Sequence, residues 1–270
     1  MIKCIIQISD VHIRCKLRHE EYAEQFEKLL ESIREKAKGF TRDEIRIVIC
    51  GDLLHQKNTV TPELMGFASA FIRQLEMISN VLVIAGNHDL IVNNTSRKDT
   101  ITSLFETAAF EHTFFVDYEL DFKSGFLVDE NITWVLYSIY DNYNKPQVDN
   151  IEGNTVIGLF HGPIIGSTFY NGTVVDNGID NNHFNDCKYV LAGDIHKRQV
   201  IRRGDTEIVY SGSLIQQTFG ESITQHGYCL WNLEGNTHEF IDIENDHPLF
   251  DIEIKAFDDI ENDLEEIKNL

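Results

Sequence analysis

The chain has 270 residues, 42% of them hydrophobic, enough to bury one large core or two small ones. Its opening, MIKCIIQI, is too short and wrongly flanked for a secretory signal, and no apolar run reaches the roughly 18 residues a membrane helix needs. A formal net charge of −21 argues, taken alone, against a nucleic-acid partner.

In chain order the pattern predicts a strand over residues 2–8, a helix over about 20–38, a strand over 45–50, a helix over about 62–79, a strand over 81–85 and a helical stretch near 99–109. This alternation implies a sheet with right-handed crossovers and helical cover. From Phe114 onward short strands dominate, over 125–128, 132–138, 155–160, 188–192, 207–211, 227–233 and 237–243. A second sheet packed on the first, with helices outside, accommodates both halves. Residues 1–246 are expected to form one domain. After Asp246-His247-Pro248 a new strand and an acidic helix begin, so 247–270 reads as the incomplete start of a further region. The five cysteines (Cys4, Cys15, Cys50, Cys187, Cys229) lack CxxC spacing and fall mostly in apolar runs. They read as reduced core thiols, which places the chain inside a cell: cytoplasm, nucleus, or infected-cell cytoplasm.

Five of the apolar strands end in residues of metal-ligand type. These are Asp10 and His12 in ISDVH; Asp52 with His55 in CGDLLH; Asn87, His88 and Asp89 in AGNHD; His161 in LFHG; and Asp194 with His196 in AGDIH. Singly, an Asp or Asn after a strand is ordinary turn chemistry and a lone His is ordinary structure. Recurring after five strands, they point to one cluster at the carboxyl edge of a layered α/β fold, where such folds bind ligands. Oxygen and imidazole donors without thiolates suit a pair of Mn2+ ions, with Mg2+ as the alternative, better than a structural zinc. Two such ions about 4 Å apart activate water and stabilise in-line displacement at phosphorus. Asp52, after the second predicted strand, is the natural bridging carboxylate. His88, with Asp89 beside it to orient the ring, suits a proton donor to the leaving oxygen.

Charge is unevenly distributed. Acidic residues crowd the predicted helices and the tail, whereas the loops after each motif are nearly acid-free. Those loops carry Arg14, Lys16, Arg18, Lys57, Arg97, Lys98, Lys197, Arg198, Arg202 and Arg203. A basic rim on an acidic body is compatible with a polyanionic substrate, and Arg14, Lys16, Lys57, Lys197 and Arg198 are the expected phosphate or DNA contacts.

The series D-x-H, G-D, G-N-H-D, H and G-x-x-H resembles the calcineurin-like metallophosphoesterases, whose fold is a four-layer α/β/β/α sandwich of mixed sheets with helices on the outer faces. More narrowly, GDLLHQKNTVTPELM, FHGPIIG, Phe184 ahead of KYVLAGDIHK, and VYSGSLIQQTFGE resemble the DNA-repair nucleases of the SbcD type, phage and eukaryotic relatives included. The resemblance covers roughly residues 1–243. It implies that Asp10, His12, Asp52 and His196 hold one ion, and that Asp52, Asn87, His161 and Asp194 hold the other. His88 would act on the leaving group and His55 would approach the phosphate. One departure stands out: the family has an imidazole where this chain has Asp194.

The resemblance further implies an SbcC-type ATPase as partner and DNA as substrate; a homodimer is a further expectation, as is no membrane association. Within the superfamily the rivals are a phosphomonoesterase or protein phosphatase and a small cyclic-nucleotide phosphodiesterase. The phosphatases resemble one another in an arginine after the second motif and a glutamate after asparagine-histidine. Here those places hold Leu53-Leu54-His55 and Asp89. A rival from another class is a catalytically dead scaffold, Asp194 marking decay.

Overall fold

The structure, a computed structural model, describes residues 1–57, 59–91, 98–148 and 153–250. Among the described residues, twelve strands form two six-stranded sheets. The first has the order β12 (Thr237–Asp242), β11 (Gly227–Asn232), β1 (Cys4–Ile8), β2 (Ile45–Cys50), β3 (Asn80–Ile84) and β4 (Thr113–Phe115). The second runs β5 (Gly125–Asp129), β6 (Ile132–Tyr137), β7 (Thr155–His161), β8 (Tyr189–Gly193), β10 (Thr206–Tyr210) and β9 (Gln199–Arg203). Each sheet is mixed. β1 to β4 are parallel, as are β6, β7, β8 and β10, while β5, β9, β11 and β12 add antiparallel edges.

Side-chain alternation along the strands sorts residues between layers. In β2, Ile45, Ile47 and Ile49 join the core beneath the helices, while Val48 and Cys50 join the core between the sheets. In β6, Trp134 and Leu136 face the inter-sheet core and Val135 and Tyr137 the outer one. Both faces of the central strands are thus buried, which is why they read as near-continuous apolar runs. Gln7 lies fully buried between the sheets. Its amide donates to the carbonyls of Ala192 (3.2 Å) and Val209 (2.9 Å) and accepts the Trp231 indole N–H (2.9 Å), so no polar atom is stranded.

Helices α1 (His19–Lys36), α2 (Pro62–Glu76) and α3 (Thr100–Ala108) cover the outer face of the first sheet. Thr61 and Asp99 cap α2 and α3 by accepting backbone N–H bonds, from Leu64 and Thr102. A short α4 (Val116–Glu119) follows β4. The outer face of the second sheet is covered differently: Tyr143, Ile164, Val175, Ile179 and Phe184, from loops and short 3₁₀ turns, form its third core. The four layers of the metallophosphoesterase sandwich are therefore present, the fourth built mainly of loop. All five cysteines are buried and free. The strand and helix expected beyond Asp246 fall in 251–270, outside the described residues, as does Arg97.

Candidate metal centre

Parallel alignment sends the carboxyl ends of β1, β2 and β3 in one sheet, and of β7 and β8 in the other, to one edge of the sandwich. The loops there are knit together through backbone. Asp10, His12 and Ile13 donate N–H bonds to the carbonyls of Gly51, Asp52 and Leu53, and His55 returns one to Ile13. Asp10, His12, Asp52 and Asp194 all have positive φ, between 50° and 93°. Left-handed backbone at non-glycine positions costs of order 1–3 kcal/mol each and clusters at functional sites. Glycines make the close approach possible. A Cβ on Gly193 would lie 2.1 Å from the Cys50 carbonyl, and one on Gly86 would lie 2.1 Å from Asp52 Oδ1.

The side chains converge as the motifs suggest. His12 Nε2 lies 3.4 Å from Asp52 Oδ2 and 3.1 Å from His196 Nε2. Asp10 Oδ1 sits 4.0 Å from His12 Nε2 and 3.8 Å from His196 Nε2. On the other side, His161 Nε2 lies 3.4 Å from Asp52 Oδ1 and 3.8 Å from Asp194 Oδ1. Asp52 therefore turns one oxygen toward each group. Asn87 Nδ2 meets Asp194 Oδ1 at 2.7 Å, so the Asp194 carboxylate faces the cluster. His55 and His88 stand above it, their ring centroids 5.3 and 4.8 Å from that of His12. Asp10, His12 and His196 form one tight donor group, and Asp10, Asp52 and His161 form another.

The donors fit cations. His161 Nδ1–H donates to the Cys50 carbonyl at 2.7 Å, leaving Nε2 buried and without a hydrogen-bond partner. Burial opposes charge on this ring, yet Asp52, Asp10 and Asp194 hold its pKa well above the ordinary value. Asp52 answers in the opposite sense: despite burial, His161 and His12 keep it below the usual carboxylate range. Burial pushes Asp10 up to about 6 and raises Asp194 as well. Three carboxyls packed together with little water call for compensating positive charge.

The oriented tautomers extend outward. His196 Nδ1 bonds Glu221 Oε1 at 2.8 Å, a carboxylate–histidine pair of the kind that fixes a metal-ligating ring with Nε2 inward. The site reading of the sequence omitted Glu221. Its only signal there was membership of the segment VYSGSLIQQTFGE. That segment also supplies Gln217, whose Oε1 accepts from Arg14 Nη2 at 3.3 Å, while Arg14 Nη1 donates to His55 Nε2 at 3.0 Å. Burial and the Arg14 charge lower His55 to about 4 and so keep it neutral.

Two expected roles are corrected. Asp89 does not orient His88. Its fully buried carboxylate accepts the backbone N–H groups of Leu53, Leu54 and Gly86, locking the second motif loop to the third. His88 is oriented by donating Nδ1–H to the His55 carbonyl at 2.9 Å. Arg198 does not face substrate either. Its guanidinium bonds the carbonyls of Ser211 and Ile241, pairs with Asp242 and lies over the Phe240 ring, pinning β12 to the second sheet. Arg18, Lys98 and Arg202 are likewise paired, with Glu21, Glu106 and Glu207. Arg14 remains at the cluster, Lys16 and Lys57 are exposed, and Lys197 is half-buried beside His196.

Among known proteins, the chain is 33% identical over 257 residues to an uncharacterized protein of Acanthamoeba polyphaga mimivirus, a match covering 91% of this chain and 18% of that one. The chain thus spans less than a fifth of that relative's length. Among solved structures it is similar to a hypothetical protein from Pyrococcus horikoshii OT3 (TM-score 0.47, 15% identity, 99% of this chain and 94% of that one). It is also similar to Vps29 of Chaetomium thermophilum (TM-score 0.39, 13% identity, 91% and 100%). The family model for calcineurin-like phosphoesterases matches residues 5–198, from β1 through every motif at the cluster to Arg198. The chain belongs to the calcineurin-like phosphoesterase family, a family of two-metal phosphoester hydrolases.

Proposed function

We propose that the protein is a Mn2+-dependent DNA nuclease of the SbcD type, hydrolysing phosphodiesters at DNA ends in break repair or recombination, with Mg2+ as the alternative ion. The observation that carries this reading is the wiring of the segment Val209–Glu221. This stretch resembles the nuclease branch, and it delivers Glu221 to His196 and Gln217 to Arg14. The basic group thereby brought against His55 is the proposed contact for a diester phosphate.

Asp10, His12, Asp52 and His196 would hold one ion and Asp52, Asn87, His161 and Asp194 the other. Bound divalent ions supply Lewis-acid activation of the attacking water and neutralise charge at phosphorus. The chain's own groups do the rest. His55, kept neutral, would approach the phosphate together with the Arg14 guanidinium that holds it. His88, anchored through Nδ1–H, would act as the imidazolium: its Nε2–H proton passes to the leaving oxygen and the ring is left neutral with Nδ1–H still on the His55 carbonyl. An SbcC-type ATPase is the proposed partner, a homodimer the proposed assembly, and 247–270 the proposed start of a further region. No helix among the described residues is long and apolar enough to cross a membrane, and the free cysteines support an intracellular setting.

The test is digestion of end-labelled DNA with Mn2+ and with Mg2+, each with and without chelator, beside a phosphomonoester. Chelator-sensitive cleavage of DNA, with slow monoester turnover, is expected. Cleavage of monoesters or cyclic nucleotides but not DNA would move the protein to another branch of the family.

A further inference from the structure

Among the described residues, seven of the thirteen exposed large hydrophobic side chains stand on the loops that follow β1, β2, β7 and β10. They are Leu17, Val60, Ile165, Phe169, Val174, Phe219 and Ile223. Recorded contacts join these loops into one rim. Cys15 N–H donates to Gln56 Oε1, linking the loops after β1 and β2. Arg18 donates to the Gln216 carbonyl, linking the first loop to the 214–224 segment. Residues 165–175 form a hairpin whose tip reaches Tyr170, its ring 6.2 Å from that of His226 at the end of that segment. Gln199 clamps the same hairpin through both Thr168 backbone groups, at 2.8 and 3.0 Å. Phe219 (62% exposed) follows Thr218, whose hydroxyl bonds Glu221, and Phe169 (42%) follows Thr168, which Gln199 holds three residues from His196.

The charge on this rim singles out its occupant. Residues 13–18, 53–62, 162–175, 197–204 and 214–224 together contain one of the chain's 44 acidic residues, Glu221, which is turned inward onto His196. The rim exposes Lys16 and Lys57 instead. A protein partner for an apolar patch has no need of an acid-free surround, whereas a polyanion does. A duplex shows this rim only phosphates and stacked edges, and the few cations here are a poor match for its charge density. Exposed aromatic side chains on loops joined to lysine-bearing loops, beside a phosphoester-cleaving centre, match an unpaired strand, whose bases offer flat apolar faces and whose backbone offers phosphate. We infer that Phe169 and Phe219 form a stacking surface for unpaired nucleobases flanking the scissile phosphate, so that the strand is cleaved where it is single. This rests on the nuclease reading and specifies the form of its substrate.

The test uses Phe169→Ala, Phe219→Ala and Phe219→Trp. With Mn2+, each variant is assayed on a single-stranded oligonucleotide, the same strand with abasic sites, its duplex, and bis(4-nitrophenyl) phosphate. DNA and RNA versions of the strand run side by side identify the sugar. Each alanine is expected to raise KM for the normal strand about 10-fold, within the range for losing one base stack. The abasic strand should lose nothing further, bis(4-nitrophenyl) phosphate turnover should be unchanged, and Phe219→Trp should keep wild-type KM. Unchanged KM in both alanine variants, or an equal loss on the abasic strand, would overturn the stacking surface. If the wild-type protein hydrolyses bis(4-nitrophenyl) phosphate but no nucleic acid, the nuclease reading itself fails, a result separable from failure of the variants alone.

Discussion

The two sides of the metal centre use the same residue type but hold it by different means. His161 is 2% exposed, and a backbone carbonyl, that of Cys50, fixes its ring. The His196 side chain is 24% exposed, and the Glu221 side chain from a distant loop fixes its ring. No side-chain substitution can delete the carbonyl behind His161; it yields only to changes that shift the close-packed strand ends, such as adding a Cβ at Gly51 or Gly193. The His196 side is adjustable. Burial opposes charge there, but Glu221 and then Asp10 raise His196 to about 9. One half of the centre is therefore set by the sheets and the other by a loop that also reaches Arg14.

The largest effect is expected where the halves meet. Asp52 gives one oxygen to each side, so Asp52→Asn should lose at least one ion by elemental analysis. Turnover should fall by about 1,000-fold or more, the scale of losing several kcal/mol of metal stabilisation. Two ions retained per chain would refute the bridging role. Next comes His88→Ala, which removes a group anchored to backbone but proposed to touch only the leaving oxygen. A loss of roughly 100-fold with full metal content is expected. A parallel fall in metal content would make His88 a ligand.

Glu221 tests the asymmetry itself. Glu221→Ala should weaken one ion by about 10- to 100-fold, the usual range for losing the carboxylate behind a ligating histidine, and leave the other untouched. Chelator titration should then show two phases where the wild type shows closer affinities. Glu221→Gln, whose amide oxygen can still accept from Nδ1, should recover most of the loss. Equal weakening of both ions would dissolve the distinction between the halves.

The smallest effect on turnover is expected from Asp117, which joins the sheets behind the third motif loop. Its carboxylate accepts from Ala85 N–H at 2.8 Å and Ser138 Oγ–H at 2.6 Å. Burial pushes its pKa up to about 6 against the opposing pull of those two bonds. The folded protein therefore keeps this proton to higher pH than the unfolded chain does. The resulting stability is full below about pH 4, the ordinary aspartate range, and is lost as pH rises to 6. Relative to Asp117→Asn, the wild type should lose on the order of 2–3 kcal/mol across that window, read as a Tm difference, with turnover nearly unchanged. A pH-independent Tm difference would show that Asp117 titrates normally.

Much of this was legible in the chain. β2 lies at 45–50 as the pattern predicts, and β1, β3, β6, β7, β8, β10, β11 and β12 lie within two residues of expectation, because long apolar runs bounded by turn residues leave little freedom. Helix α2 stops at Glu76, three residues short. β4, α4 and β9 were not anticipated: the first two are very short, and β9 is half-exposed and charged, so neither period nor composition marks them. Arg198 was misassigned because a charged loop residue does not reveal its partner, here Asp242 and carbonyls over 40 residues away. Asp89 was misassigned because adjacency to His88 in sequence says nothing about facing: one side chain turns into the loops and the other onto the cluster.

The sequence by itself determined which residues could bind metal and that they would share an edge, since each follows a strand and parallel strands present their ends together. It also determined the family, through motifs whose residue types are dictated by metal chemistry. Only the tertiary structure decided what holds each donor in place: a Cys50 carbonyl for His161, Glu221 for His196, a His55 carbonyl for His88, and three backbone N–H groups for Asp89. These partners are backbone atoms or residues distant in the chain, chosen by packing between two sheets, and backbone atoms carry no residue identity for a sequence pattern to display.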